Sequence, residues 1–290
     1  MQLGVLGNSD SWYVADITRA ANALGHKCER LEFPRLVGRC GFRTASLITG
    51  TADLQSFDAV IVRTMPPGSL EQVVLRMDLL HQLESYDVQV LNPPRSLECA
   101  VDKYLTTARL ERAGLPIPET IVCEQFEDAM AAFDTLGGDV VVKPIFGAEG
   151  RGIVRVSDPD LAHRTFRTLE RLNSALYLQR FVRHPGYDIR VVILGDRILG
   201  SMKRISQTDF RTNVSRDART ELHTPTAVEL DAARRAVDCT GAIFAGVDLL
   251  YGPNGQLYVI EVNAVPGWRA FGRTTGIDVA TELVHWIEDH

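Results

Sequence analysis

The sequence predicts an α/β chain of α+β character, with a small N-terminal domain on a mostly parallel sheet followed by segments in which strands pair as hairpins. Three observations predict it. Short apolar runs alternate with helical stretches through residues 1–96, the pattern of a parallel sheet with crossover helices. The run DIRVVILGDRILGSMKRIS reads as two strands joined at Gly195-Asp196. From Phe244 to Trp268, FAGVDLLYGPNGQLYVIEVNAVPGW has two apolar runs flanking Gly252-Pro253-Asn254-Gly255, a cluster that permits a tight reversal.

Gln2 to Leu6 is a short buried strand, followed by Gly7-Asn8-Ser9-Asp10 and a helical stretch to about Leu24 that Gly25 ends. Cys28 to Phe33 is expected as the next strand, Ala59 to Val62 as another, Leu70 to Leu83 as a helix, and Val88 to Leu91 as a strand leading into Asn92-Pro93-Pro94. This α/β domain is placed to end near Ser96. No GxGxxG surrounds Gly7, so it reads as a plain strand-to-helix turn. Arg63 directly follows a strand and Arg76 lies within a helix. Each reads either as a solvated cation or as an anion clamp, because a guanidinium suits carboxylate and phosphate partners.

From Leu97 one helix is expected to carry Asp102-Lys103-Tyr104 as far as Arg112, with Gly114 just past its end. Val140 to Lys143 is an apolar strand ending in a lysine, and IFGAEGRGIVRV follows Pro144. Gly147, Gly150 and Gly152 thus lie between two strands, whereas a P-loop opens a helix. Such a flap can fold its amides over phosphates while the lysine supplies charge; equally, it can be a flexible hairpin. A helix over 159–173, a strand from Tyr177 to Val182 and a turn at His184-Pro185-Gly186 come next. Alternation then places Asp188 and Arg190 on one face of a strand, with Lys203 near the end of its partner. Asp209-Phe210-Arg211-Thr212-Asn213 begins a polar loop expected to move, Glu229 to Thr240 is a helix, and Val279 to Ile287 is the last helix.

If the Phe244 to Trp268 hairpin closes symmetrically about Pro253-Asn254, Asp248 faces Val259, Gly246 faces Glu261, and the two carboxylates are diagonal neighbours on one face. Asn263 points the same way. All three are hard oxygen donors. Burying them among Val, Ile and Leu is costly unless a cation or a donor compensates, and oxygen ligands with room for phosphates suit magnesium. The competing reading is a solvated set on the wet face of an antiparallel sheet.

Composition narrows the function class. A net charge of −6, without a concentrated basic run, speaks against a nucleic-acid surface and leaves small molecules as the expected partners. Five dispersed cysteines with no CxxC pair suggest neither a disulfide framework nor a zinc site. MQLGVLGNSD lacks the features of a leader, and no apolar run approaches membrane-spanning length, so no membrane association and a cytoplasmic location are expected. His184 and Cys99 read as structural.

The segments DKYLTTARLERAGLPIP, VVVKPIFGAEGRGI, YLQRFV, DIRVVILGDRILGSMKR, FRTNV, AGVDLL and YVIEVNAVPG follow one another from Ala100 to Gly267. This order resembles the ATP-grasp superfamily and, within it, the RimK-like amino-acid ligases, which commonly attach glutamate. The resemblance implies an ATP-grasp fold with an N-terminal domain over 1–96, a subdomain with the lysines and glycine flap over 97–182, and a subdomain with the metal site over 183–290. It also implies amide formation driven by ATP, in which a carboxylate attacks the γ-phosphate and an amine then displaces phosphate from the acyl phosphate. Catalysis of that kind rests on positioning and charge neutralisation.

By the same resemblance, Lys103 and Lys143 contact the nucleotide phosphates beneath the flap of Gly147, Gly150 and Gly152. The main chain from Gln179 through Arg180 and Phe181 to Val182 binds adenine, with Asp188 near the ribose. Asp248 and Glu261 hold magnesium or manganese, with Glu261 bridging two ions and Asn263 on the second. Arg190, Lys203 and Arg211 face the transferred phosphoryl group. Asn213 belongs to that polar site and, with Arg63 and Arg76, to substrate binding. Two positions depart from the family pattern: Arg180 stands where many relatives have glutamate, and Ser215-Arg216-Asp217-Ala218-Arg219 stands where they often have a glycine-rich turn. The second implies a stiffer, more charged loop.

The expected reaction is transfer of L-glutamate, through its α-amino group, onto an acidic small molecule. A pterin- or furan-type one-carbon carrier, an amino-acid precursor or an existing glutamyl tail would serve, and Gly267 to Phe271 resembles relatives that tailor such cofactors. A protein C-terminus as acceptor is the second expectation and a non-catalytic ATP-sensing module the third. A homodimer or homotetramer is implied by resemblance alone.

Overall fold

The structure is a computed structural model that describes the chain apart from residues 43–45, 51, 148–150, 207–208 and 212–218. The first sheet is built from β1 (Gln2–Leu6), β2 (Lys27–Leu31), β6 (Ala59–Val62) and β7 (Gln89–Leu91), all parallel, in the order β2-β1-β6-β7. Helix α1 (Trp12–Ala23) is capped by the Ser11 side chain and ends at Gly25, whose φ of 80° suits a residue without Cβ. Between β2 and β6 a small antiparallel sheet of β3 (Leu36–Arg39), β4 (Ser46–Thr49) and β5 (Ala52–Asp53) had no anticipated counterpart. β2 stops two residues short of Phe33, which instead opens a 3-10 turn with Pro34, a residue that donates nothing to a ladder. Helix α2 (Leu70–Glu84) starts in a capping box made by Ser69 and Gln72.

The single helix expected from Leu97 to Arg112 is two, α3 (Pro94–Val101) and α4 (Lys103–Arg112). Asp102 breaks it. Its backbone is extended (φ −91°, ψ 104°) and its carboxylate accepts from Leu105 N–H at 2.9 Å, capping α4. The second sheet contains β8 (Thr120–Cys123), β9 (Val140–Lys143), β10 (Val154–Val156) and β11 (Leu176–Arg180), antiparallel in the order β10-β9-β11-β8. Helices α5 (Phe126–Thr135) and α6 (Pro159–Arg171) cover one face, burying Phe133 and Phe166 against Val140, Val142 and Leu178. Alternation sends Val141, Lys143, Tyr177 and Gln179 to the other face.

The third sheet is antiparallel, β14-β13-β12-β15-β16, from β12 (Tyr187–Leu194), β13 (Arg197–Ile205), β14 (Arg219–His223), β15 (Phe244–Tyr251) and β16 (Leu257–Asn263). Helix α7 (Ala227–Thr240) packs on the face that carries Ile189, Val191, Val247 and Leu249. On the opposite face Val192, Leu194 and Phe244 join Trp268, Phe271 of α8 (Arg269–Thr275) and Leu283 of α9 (Val279–Asp289) in a core shared with Leu3, Val5 and Ile61 of the first sheet. Thus the last helix returns to the first domain, where Arg19 of α1 pairs with Asp278 at 2.7 Å. Asn92 ties the sheets together: its amide donates to Phe244 O and Ala264 O, and its oxygen accepts from Ile243 N–H and Phe244 N–H. Among the described residues no helix is long and apolar enough to cross a membrane.

The β15–β16 hairpin closes differently from the symmetric expectation. Tyr251 pairs with Leu257 around a five-residue loop, which by itself would put Glu261 on the face away from Asp248. A bulge at Ile260 restores the face, so Asp248 lies directly opposite Glu261 and Gly246 opposite Asn263.

Candidate active site

The second and third sheets face each other across a cleft. Val141, Lys143, Tyr177 and Gln179 form one wall, Asp188, Asp248, Leu250 and Glu261 the other, and Lys103 closes the α4 end. Arg180, Phe181, Val182, His184, Phe210 and Arg211 border it where the chain passes from one sheet to the other.

Lys143 ends β9 opposite Tyr177. Its buried ammonium donates to Gln179 Oε1 at 2.6 Å and has no carboxylate within salt-bridge distance among the described residues. Burial therefore pushes its pKa down to about 8, against the opposing pull of Glu261. Lys103 donates to Gly147 O at 2.6 Å, and its Nζ lies 3.9 Å from Glu261 Oε1. The α4 start is further tied to the glycine loop by Lys103 N–H donating to Ile145 O at 3.3 Å. Glycine is required at 152, where φ is 74°, and at Gly147 a Cβ would sit 3.0 Å from Pro144 Cγ. Gly150 lies outside the described residues.

Two arginines and two aspartates form a buried network below this wall. Arg190 donates from Nε to Asp248 Oδ1 at 2.7 Å and from Nη2 to Oδ2 at 2.8 Å. Arg204 Nη2 reaches the same Oδ2 at 2.8 Å and also holds Asp188, through Nε to Oδ1 at 2.7 Å and through Nη2 to Oδ2. Asp248 is 2% exposed; burial would raise its pKa, but the two guanidinium groups outweigh burial and hold it down. Burial likewise works against the charge of Arg204, and Asp248 with Asp188 reverses that and raises its pKa.

The remaining candidates fall differently. Lys203 does not reach this site. A bulge between Val192 and Ile193 against Ile198 and Gly200 shifts the β12–β13 register by one residue, so Lys203 pairs with Ile189 and Arg204 with Asp188. Lys203 therefore points to the other face, its Nζ 4.7 Å from the Tyr187 ring centre, and Arg204 takes the position that symmetric pairing assigns to it. Sequence reasoning missed Arg204, although Gly200 inside the strand pattern is a signal for that bulge. Arg63 is also away from the cleft, stacked between Tyr13 and Trp268 and donating to Pro266 O at 3.0 Å. Its buried Nε has no hydrogen-bond partner among the described residues, and burial lowers its pKa to about 10. Arg76 donates to Pro66 O at 2.6 Å, likewise outside the cleft lining. Arg211 lines the cleft but is paired with Asp209 of its own loop. Asn263 Oδ1 accepts from Val265 N–H at 2.8 Å.

β11 ends at Arg180, before the expected Val182. Arg180 N–H donates to Glu119 O and Phe181 N–H to Asp139 O, while the Arg180 side chain pairs with Glu119 at 2.5 Å. Among the described residues the Val182 N–H has no partner, and Val182 lines the cleft. Trp268 is 2% exposed, so in the Gly267 to Phe271 segment it is a core residue. Asn213 and the Ser215 to Ala218 part of the charged loop lie outside the described residues.

Two opposed carboxylates with a neighbouring amide form an oxygen donor set that fits a hard divalent cation whose other ligands are water and phosphate. Among the described residues no three or more His, Cys, Asp or Glu side chains cluster as an all-protein metal cage. Glu261 is the more accessible of the two carboxylates, its side chain 26% exposed. The cleft thus places ammonium groups, guanidinium groups and metal-competent oxygens around one volume, as polyphosphate recognition demands.

Residues 100–287 match the RimK-like ATP-grasp domain and residues 1–97 the RimK PreATP-grasp domain. The chain is similar to the tetrahydromethanopterin:alpha-L-glutamate ligase of Methanosarcina acetivorans, 30% identical over 264 residues that cover 81% of each chain. It is also similar to the ribosomal protein bS6--L-glutamate ligase of Escherichia coli O81, 29% identical over 294 residues, 100% of this chain and 96% of that one. Among solved structures it resembles the ATP-grasp ligase PsnB complexed with minimal precursor, Mg, and ADP, with a TM-score of 0.78 and 22% identity over 99% of this chain and 96% of the other. At that identity the likeness is one of fold.

Proposed function

This chain belongs to the RimK-like ATP-grasp family and is an ATP-dependent carbon–nitrogen ligase, and from that premise we propose that it adds L-glutamate to an acidic small molecule through an acyl phosphate. The observation that carries the proposal is the convergence of Lys103, Lys143, Asp248 and Glu261 on one cleft between two antiparallel sheets. We divide the chain at 1–96, 97–182 and 183–290, so that the cleft lies between the second and third parts. The Val182 N–H, which has no partner among the described residues, donates to an adenine ring nitrogen, the apolar surfaces of Val141 and Leu250 flank the base, and Asp188 lies on the ribose side. Lys143 and Lys103 bind the polyphosphate, and Arg190 and Arg211 stabilise the charge that develops on the transferred group. Asp248 and Glu261, with Asn263 beside them, would hold the magnesium that ATP-grasp ligases use, which would supply charge to neutralise the phosphate oxygens.

Acceptor chemistry is supported from two directions. The Methanosarcina relative is named for a pterin cofactor, which favours a carboxylate-bearing one-carbon carrier. The Escherichia relative, matched along the whole of this chain, is named for a protein, which supports a peptide C-terminus as the second reading. A peptide ending in glutamate that gains mass with ATP present would move the second reading to the front.

Replacement of Glu261 by alanine separates a catalyst from a nucleotide sensor. We expect turnover to fall by about 10²-fold or more, the scale of losing one transition-state charge partner, while affinity for ADP changes by less than tenfold. Equal losses in binding and turnover would count against the role given to Glu261.

A further inference from the structure

We infer that the two arginines on Asp248 have different tasks: Arg190 is an exchangeable gate on Oδ1 that departs when metal and nucleotide enter together, and Arg204 is a fixed positioning residue on Oδ2. The inference rests on Asp248 being a metal ligand. It starts from an asymmetry in the bonds. Among the described residues Oδ1 accepts only from Arg190 Nε, whereas Oδ2 accepts from Arg190 Nη2 and also pairs with Arg204 Nη2 at 2.8 Å. Removing Arg190 therefore leaves Oδ1 free for a cation and Oδ2 still held.

Arg204 is not free to make the same exchange. Its guanidinium is anchored to both oxygens of Asp188 as well as to Asp248. Asp248 is the sole carboxylate that Arg190 holds among the described residues. Were a cation to take Oδ1 without nucleotide, the buried Arg190 guanidinium would lose its carboxylate and gain no other anion, which is costly. Polyphosphate offers the guanidinium a new anionic partner, and eviction then costs little. Binding of metal and nucleotide is thereby coupled through a side chain of the protein, beyond their direct contact with each other.

Manganese binding by wild type, Arg190→Gln, Arg204→Gln and Asp248→Asn, followed by the free-ion paramagnetic resonance signal with no nucleotide present, tests this. Wild type is expected to bind the ion weakly, Arg190→Gln at least tenfold more tightly, and Arg204→Gln no more tightly than wild type. Equal tightening in both arginine variants would mean that deleting any positive charge is enough and would overturn the gate; so would no tightening in Arg190→Gln. Lysine replacements at both positions replace any glutamine variant that fails to fold. They keep the charge but cannot bridge two oxygens, so Arg190→Lys is still expected to bind more tightly than wild type. If adding Asp248→Asn to Arg190→Gln leaves the tighter binding intact, the metal-ligand reading of Asp248 fails and the gate falls with it, whereas loss of the tighter binding in the double variant keeps that reading and leaves the two arginine variants to decide the gate.

Discussion

Raising the pH through 8 should uncouple nucleotide from the cleft, because Lys143 is a cation kept where a cation is costly. Burial sets its pKa at about 8 in the nucleotide-free protein, against 10.5 for an ordinary lysine. Polyphosphate beside the ammonium favours the charged form, so nucleotide binding raises that pKa and takes up a proton. Uptake should be ~0.1 proton at pH 7, ~0.5 at pH 8 and ~0.9 at pH 9, and affinity should fall about tenfold for each pH unit above 8. A terminal phosphate has lost its last proton well below pH 8, its ionisation lying near 6, so the ligand does not mask the effect. Calorimetric titration with a non-hydrolysable ATP analogue, repeated in buffers of different ionisation heat, reads the uptake directly. Lys143→Arg, permanently charged, should abolish it. Linkage to folding has the opposite dependence on pH: a lysine whose folded pKa lies below its unfolded value costs stability below pH 8 and costs progressively less up to 10.5. The nucleotide-free protein should thus gain up to about 3 kcal/mol over that window from this group alone. Proton uptake absent at both pH 8 and pH 9, or unchanged in Lys143→Arg, would refute the reasoning.

Two further outcomes follow from single contacts. Asn92→Ala removes the four hydrogen bonds that tie the first sheet to β15 and the segment after β16 and strands buried main-chain groups; urea unfolding should give a loss of about 3–5 kcal/mol, and a loss under about 1 kcal/mol would contradict the clamp. Asp102→Ala removes the cap of α4 at a cost of about 1 kcal/mol; because Lys103 occupies the first turn, the KM for ATP should rise while kcat changes little, and steady-state kinetics decides it.

Turn chemistry and alternation made much of the architecture readable. Gly195-Asp196 and the Gly252 to Gly255 cluster mark the two reversals of the third sheet, and the apolar run ending at Lys143 marks the strand that carries the buried ammonium. Register was where the reading failed, twice. The extra residue opposite Val192 and Ile193 moves Arg204 to the face on which Lys203 was expected, and the bulge at Ile260 turns a diagonal pair of carboxylates into a direct one. Gly200 within the strand pattern is a mark of the first bulge, Ile260 carries no comparable mark for the second, and a shift of one residue reverses every side chain beyond it. Asp102 was hidden for another reason: a residue acceptable within a helix becomes a cap when its neighbour's N–H is claimed by Ile145, a contact distant in sequence. Arg63 and Arg76 look alike as arginines next to apolar runs, and only tertiary packing shows that both are engaged by main-chain carbonyls outside the cleft.

The measurement that bears most directly on the central claim is ADP release with ATP, magnesium and L-glutamate against a small-molecule extract of the source cells, with mass spectrometry of the products. The account predicts ADP release accompanied by a glutamate-dependent mass increase in one acidic metabolite, with both signals lost in Glu261→Ala. Nucleotide binding with neither ADP nor any adduct would contradict it and favour an ATP-sensing module.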